Sequence, residues 1–134
     1  MNKPKLEHIG IAVRSLDAAR AVYEALGLTI HDVETVPTQK VKAAFLSVGD
    51  TYLELLEPTG PDSPVAKFIE KRGEGMHHIC LRVDSIEAHL EVLKAQGYRL
   101  INEAPVPGAH NSRVAFLHPS AGNGVLIELS ESIE

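Results

Sequence analysis

The sequence has little cysteine, few aromatic residues and no long apolar run. Its 134 residues include one cysteine and no tryptophan, and aromatic side chains make up 4% of the chain. A single cysteine excludes a disulfide within the chain and is typical of a reducing compartment. No apolar run approaches the roughly 20 residues that span a bilayer, and no signal-like apolar stretch follows the first residues. We therefore expect a cytoplasmic protein with no membrane partner.

Basic charge is also scarce. Thirteen lysines and arginines stand against eighteen acidic residues, a formal charge of −5, and the basic residues form no block. Surfaces that bind nucleic acid or anionic lipid need such a block, so we expect neither partner. What the sequence does contain is 44% hydrophobic residues over a length typical of one globular domain, together with seven histidines.

The second half of the sequence repeats the first. Residues 8–18 match residues 78–88, and the tripeptide at 53–55 matches the tripeptide at 127–129 after a slightly larger offset. A small drift in the offset is typical of loop insertions between two copies of one supersecondary unit.

Each copy is predicted to form a strand, a helix and three further strands. An alternating apolar run starts each copy, and a serine N-cap followed by an acidic residue starts each helix, Ser15 with Asp17 and Ser85 with Glu87. The further strands are predicted at 28–35, 41–48 and 51–57, and again at 98–104, 112–118 and 124–130. The pattern predicts an α+β fold in which two tandem βαβββ modules form a curved mixed sheet around a cleft.

The two modules are expected to form a single domain. Module one covers residues 5–58 and module two covers residues 76–130. Between them a segment rich in proline precedes an apolar-polar pattern that predicts a linker helix over 62–73.

Four residues with metal-binding side chains occupy equivalent positions on one predicted face. Side chains alternate along a strand, so the neighbouring aliphatic residues turn His8, Glu54, His78 and Glu128 away from the helices. A lone histidine at the start of a strand is more often structural, but four such residues at equivalent positions are hard to obtain by chance. If the modules pack about a pseudo-two-fold axis, the four converge. Two imidazoles and two carboxylates suit a divalent metal with two positions open to substrate.

Two neighbours of His78 receive a simpler interpretation. By the same alternation, His77 faces the helix side and is expected to pack there rather than bind metal. Cys80 shares the face of His78 and is interpreted as a small buried side chain.

Several segments are more specific than the strand pattern. They are His8–Val13, Glu54–Pro58, Asp62–Ala66, Gly75–Ile79 and Phe116–Pro119 running on to Gly124–Leu129. With these segments, which extend over nearly the whole chain, the sequence resembles the vicinal oxygen chelate superfamily. Within it, the sequence is most similar to the methylmalonyl-CoA epimerase family.

The resemblance implies a fold, a reaction and a set of ligands. It implies that His8, Glu54, His78 and Glu128 bind a divalent ion, Co²⁺ first, with Mn²⁺, Ni²⁺ and Zn²⁺ as alternatives. It also implies an acyl-CoA substrate, a homodimer and the interconversion of the (2R) and (2S) forms of methylmalonyl-CoA. The C2 proton would leave and return through an enolate that a metal stabilises as a Lewis acid.

Epimerisation needs an acid/base group on each face of the planar intermediate. Glu128 is interpreted as one of them. Some epimerases carry a glutamate at the position of Ala43, and alanine cannot move a proton. His118, which the repeat aligns with Ser47 on the face of Ala43, and His110 in a Gly-Ala-His loop are the candidates for the second group.

The sequence also leaves three alternative functions to be considered. Glyoxalase I has a closely similar metal set and also removes a carbon-bound proton. An extradiol dioxygenase would leave Glu54 unexplained, because its iron uses two histidines and one carboxylate. A metal-free small-molecule-binding module on the same fold would need an apolar cleft instead of four convergent ligands.

Overall fold

A computed structural model describes residues 2–133. The strands are β1 (Lys5–Ala12), β2 (Ile30–Val36), β3 (Val41–Val48), β4 (Thr51–Pro58), β5 (Gly75–Arg82), β6 (Val106–Gly108), β7 (Ser112–Leu117) and β8 (Ile127–Ser132). The helices are α1 (Leu16–Ala25), α2 (Pro64–Arg72) and α3 (Ile86–Ala95). Within residues 2–133, no helix has the length and apolar character needed to cross a bilayer.

The chain divides into two compact units. The N-terminal unit contains residues 8–77, and the C-terminal unit combines the residues before His8 with those from His78 onward. In the N-terminal unit the strand order is β2-β3-β4-β1, with β1 parallel to β4 and the other pairs antiparallel. In the C-terminal unit the order is β5-β8-β7-β6, with β5 parallel to β8 and the other pairs antiparallel. Each unit thus has the mixed βαβββ pattern that the repeat predicts.

The two equivalent helices begin in the same way. The hydroxyl of Ser15 accepts the backbone N–H of Ala18, and that of Ser85 accepts the N–H of Ala88, as an N-cap does. After each helix a glycine adopts a left-handed φ, +91° at Gly27 and +82° at Gly97. These predictions from the sequence are confirmed.

A strand-borne carboxylate also holds the first turn of each of these helices. Glu57 on β4 accepts the backbone N–H of Leu16 at 2.9 Å, and Glu131 on β8 accepts that of Ile86 at 2.9 Å. Helix N-termini carry unpaired N–H groups and partial positive charge, so a carboxylate there stabilises the helix. This contact connects the helix to the last strand of its own module.

Apolar residues on the helix side of each sheet form the two cores. The N-terminal core contains Val13, Leu16, Ala44, Leu46 and Leu55. The equivalent C-terminal core contains Val83, Ile86, Leu90, Ala115, Leu117 and Leu129. The predicted alternation is therefore observed, and the opposite face of each sheet carries the polar side chains Glu54 and Glu128 among buried apolar ones such as Phe45.

Two predicted strands in the second module differ from the structure. Residues 98–104 were expected to form a strand, but only an isolated bridge joins Leu100 to Leu117, and β6 begins later. The side-chain oxygen of Asn102 accepts the backbone N–H of Phe116 and so replaces a ladder partner. The last strand starts at Ile127 instead of 124, because left-handed φ values at 123 and 124 are incompatible with a strand.

The linker helix is shorter than the predicted 62–73. Ser63 caps it by accepting the backbone N–H of Val65, and Pro64 occupies its first turn. It ends before Gly73, which has a left-handed φ of +79°. A proline at the first position and a glycine after the last are the usual limits of a helix.

The C-terminal unit has an ion-pair network that should make its stability pH-dependent. Arg113 donates to both oxygens of Glu87, at 2.9 and 3.0 Å, and also to Glu131. The hydrogen bond from Arg113 lowers the pKa of Glu87 below its ordinary value of 4.5. A lowered folded-state pKa means that the stabilisation is complete above pH 4.5 and is lost as the pH falls through the lowered pKa.

We therefore expect Arg113→Met to lower the thermal unfolding midpoint clearly at pH 7 and much less at pH 3. Arg20→Met, which removes a single exposed pair with Glu24 on one helix, is the matched control and should have a smaller effect at pH 7. Thermal melts of the three proteins at both pH values measure this. An equal loss at both pH values would show that Arg113 acts through packing and not through its charge.

Candidate metal centre

In the N-terminal unit, a histidine and a glutamate meet on the face away from α1. His8 Nε2 on β1 lies 3.4 Å from Glu54 Oε2 on β4. His8 is only 7% exposed and Glu54 only 5%. The parallel register places Gly10 beside Glu54, so no β1 side chain stands next to the carboxylate. The imidazole and the carboxylate therefore form one buried half-site.

The C-terminal unit repeats this half-site. His78 Nε2 on β5 lies 3.0 Å from Glu128 Oε1 on β8, and both residues are 3% exposed. The Phe116 ring packs edge-on against the His78 ring, with centroids 6.0 Å apart. Cys80 takes the place of Gly10 in the register and is fully buried beside Glu128.

The geometry of each half-site fits a divalent cation. Two adjacent ligands of an octahedral ion with bonds of about 2.1 Å lie about 3.0 Å apart. The nitrogen–oxygen separations of 3.4 and 3.0 Å are close to this value. Burying a carboxylate is unfavourable unless a cation or hydrogen bonds compensate its charge. An imidazole nitrogen and a carboxylate oxygen are ligands that borderline divalent metals accept.

The neighbouring His77 packs against a helix, as the alternation predicts. Its ring contacts Phe68 of α2 edge-on, with centroids 5.0 Å apart. The guanidinium of Arg72 lies over the same Phe68 ring at 5.8 Å. His77 thus has a packing role, which makes it a suitable control for its neighbour His78.

The two histidines put forward for proton transfer lie in different settings. His118 follows β7 and is partly buried, and its Nδ1 accepts the backbone N–H of Ser120 at 3.1 Å. The His118 Nδ1 atom is therefore engaged in the turn that follows β7. His110 is exposed and has a left-handed φ of +53° in the turn between β6 and β7.

Sequence reasoning missed one polar residue on the face of the N-terminal half-site. Glu34 on β2 lies directly opposite Ala43 on β3, and Ala43 follows the same alternation as buried Phe45. The alternation of residues 30–36 indicates on which face Glu34 lies, but only the strand register shows which β3 residue lies opposite it.

Comparisons with known proteins are consistent with this arrangement. Residues 7–116 match the model of the Glyoxalase/Bleomycin resistance protein/Dioxygenase superfamily. The chain belongs to this superfamily. The fold class predicted from the sequence is thereby confirmed.

Three similar proteins show to which family within the superfamily the chain belongs. It is 41% identical to human mitochondrial methylmalonyl-CoA epimerase, over 98% of this chain and 76% of the human protein. It is also 41% identical to the ethylmalonyl-CoA/methylmalonyl-CoA epimerase of Cereibacter sphaeroides, over 95% and 97% of the two chains. A variant of the Streptomyces coelicolor epimerase, solved with 2-nitronate-propionyl-CoA, superposes with a TM-score of 0.91 at 37% identity, over 98% and 96%. The chain is a member of the methylmalonyl-CoA epimerase family.

Proposed function

We propose that this protein is a metal-dependent epimerase that interconverts (2R)- and (2S)-methylmalonyl-CoA. The observation that carries the proposal is the buried histidine–glutamate pair, which occurs once in each unit at equivalent positions. Similarity to epimerases over nearly the whole chain supports the choice of substrate. A homodimer is proposed on the sequence resemblance alone, and a cytoplasmic location on the single cysteine.

The metal ligands of the proposed enzyme are His8, Glu54, His78 and Glu128. The set of two imidazoles and two carboxylates suits Co²⁺, with Mn²⁺, Ni²⁺ and Zn²⁺ as alternatives. When bound, such an ion supplies positive charge beside the oxygen on which negative charge develops. All four residues are buried, with exposed fractions between 3% and 7%.

The proton-transfer steps belong to side chains of the protein. The C2 hydrogen of the substrate lies between a thioester and a carboxylate, so its removal yields an enolate. Glu128 is proposed to exchange a proton with C2 from one face through a carboxylate oxygen. The opposite face needs a second group, for which the sequence puts forward His110 and His118.

The reaction is tested by incubating the Co²⁺-loaded protein with (2R)-methylmalonyl-CoA in D₂O. We expect deuterium at C2 together with loss of stereochemical purity, followed by NMR and by separation of the epimers. A protein that binds Co²⁺ but leaves C2 unlabelled, and instead converts the hemithioacetal of methylglyoxal and glutathione, would be a glyoxalase. A protein that binds no metal and leaves both substrates unchanged would be a binding module.

A further inference from the structure

His118 continues the face of the C-terminal sheet that carries Glu128. Phe116 on β7 lies directly opposite Glu128 on β8, and the next residue, Leu117, packs in the core on the helix side. The backbone stays paired one residue past the end of β7, because the His118 N–H donates to the carbonyl of Arg99 at 3.1 Å. Successive side chains of an extended chain point to opposite faces, so His118 shares the face of Phe116 and Glu128.

This position brings His118 within reach of a molecule bound at Glu128. His118 lies two residues beyond Phe116 and is therefore diagonal to Glu128 in the ladder. Diagonal residues of an antiparallel pair lie about 7–8 Å apart. Because the thioester oxygen of the substrate is two covalent bonds from C2, a substrate whose C2 hydrogen faces Glu128 can place this oxygen between the two side chains. All of these residues belong to the C-terminal unit.

Hydrogen bonding in the turn after β7 determines which ring nitrogen of His118 carries the hydrogen. The backbone N–H of Ser120 donates to His118 Nδ1 at 3.1 Å, and the Ser120 hydroxyl lies 2.8 Å from the same atom. A backbone N–H can only donate, so Nδ1 must offer a lone pair and carries no hydrogen. The neutral ring then carries its hydrogen on Nε2. Among residues 2–133, no group hydrogen-bonds to Nε2, so this N–H can be donated to a substrate.

We propose that His118 is a neutral hydrogen-bond donor to the thioester oxygen of the substrate, an inference that rests on the function proposed above. When the C2 hydrogen leaves as a proton, negative charge develops on that oxygen, and an N–H aimed at it stabilises the enolate. A base must offer a lone pair, and Nε2 has none in this tautomer. His118 is therefore not the second acid/base group, and its contact serves the reaction whichever epimer is the substrate.

The tautomer is tested by NMR on the Zn²⁺-loaded protein labelled with ¹⁵N-histidine, at about pH 8, where a free imidazole is neutral. We expect His118 to give the ¹⁵N shift of a protonated nitrogen at Nε2 and of an unprotonated nitrogen at Nδ1. The signals are assigned by their absence from the spectrum of His118→Gln. A hydrogen on Nδ1 instead of Nε2 would overturn the proposal.

The role in the reaction is tested with Co²⁺-loaded variants, each incubated with either pure epimer in D₂O. His118→Ala loses a donor that serves both directions, so we expect C2 exchange and inversion to slow by a factor of about 10² for both epimers. Glutamine can place an N–H close to the position of Nε2, so His118→Gln should recover much of the rate. His118→Asn is the matched control, because its shorter amide reaches only as far as Nδ1, and it should be as slow as His118→Ala.

Three results with an active unaltered enzyme would overturn the proposal. Loss of exchange for one epimer only in His118→Ala would make His118 an acid/base group for one face of C2. A raised KM with unchanged turnover would show that the contact does not strengthen as charge develops. Unchanged rates in a folded His118→Ala protein would exclude a contact with the reacting oxygen. If the unaltered enzyme neither exchanges nor inverts, the proposed function itself fails.

Discussion

Replacing His78 by alanine should remove bound metal and lower epimerase turnover by a factor on the order of 10²–10³. The His78 imidazole is buried and lies 3.0 Å from Glu128, so its loss removes one ligand and leaves a carboxylate without its neighbour. We expect the equivalent change, His8→Ala, to have the same effect, because His8 faces Glu54 in the same way. Metal content by mass spectrometry and turnover with saturating substrate measure the two effects separately.

His77→Ala provides the matched control for this experiment. It removes the neighbouring imidazole, which packs against Phe68 instead of facing Glu128. This variant should keep its metal and most of its turnover. Circular dichroism identifies any variant that fails to fold. A folded His78→Ala protein that retains metal and full activity would refute the proposed ligand set, and loss of metal from His77→Ala alone would reverse the assignment of the two histidines.

Replacing Leu55 by alanine should destabilise the protein by about 2–5 kcal/mol. Leu55 is 0% exposed and packs with Val13, Leu16, Ala44 and Leu46 on the helix side of the N-terminal sheet. The change removes three methyl-sized groups from a closed apolar cluster, and the space left behind cannot be refilled by neighbours held in a ladder. Denaturant unfolding, with the slope compared between variants, measures the loss.

Leu26→Ala is the control for Leu55→Ala. Leu26 is 72% exposed at the end of α1, so the same substitution there should change the free energy of unfolding by no more than about 0.5 kcal/mol. Leu55 is also adjacent to Glu54 in sequence but on the opposite face of β4. A Leu55→Ala protein no less stable than Leu26→Ala would mean that the cluster is not the core of this unit.

Much of the fold was predictable because it is encoded in residues that are close in sequence. The repeat, the serine caps at Ser15 and Ser85, and the glycines that end the helices are local patterns, and the structure contains each of them. Strand alternation likewise placed His8 and Glu54, and then His78 and Glu128, on the face opposite the cores. Each of these patterns depends on backbone geometry over a few residues.

Other parts of the fold depend on hydrogen bonds between residues that are far apart in sequence. Asn102 replaces a ladder partner of Phe116, which is why the predicted strand at 98–104 does not form. Glu57 and Glu131 hold the first turns of α1 and α3 across 41 and 45 residues of chain. Nothing in the local sequence distinguishes such a carboxylate from one on a solvated face.

The modules, their helices and the face on which each histidine–glutamate pair lies follow from local sequence patterns. The burial of the pairs, their separations of 3.4 and 3.0 Å, and the position of Glu34 opposite Ala43 are visible only in the folded protein. Alternation and capping depend on neighbouring dihedral angles, whereas register depends on how strands far apart in sequence pair. A one-residue slip of β2 would turn Glu34 to the other face without changing a single local preference.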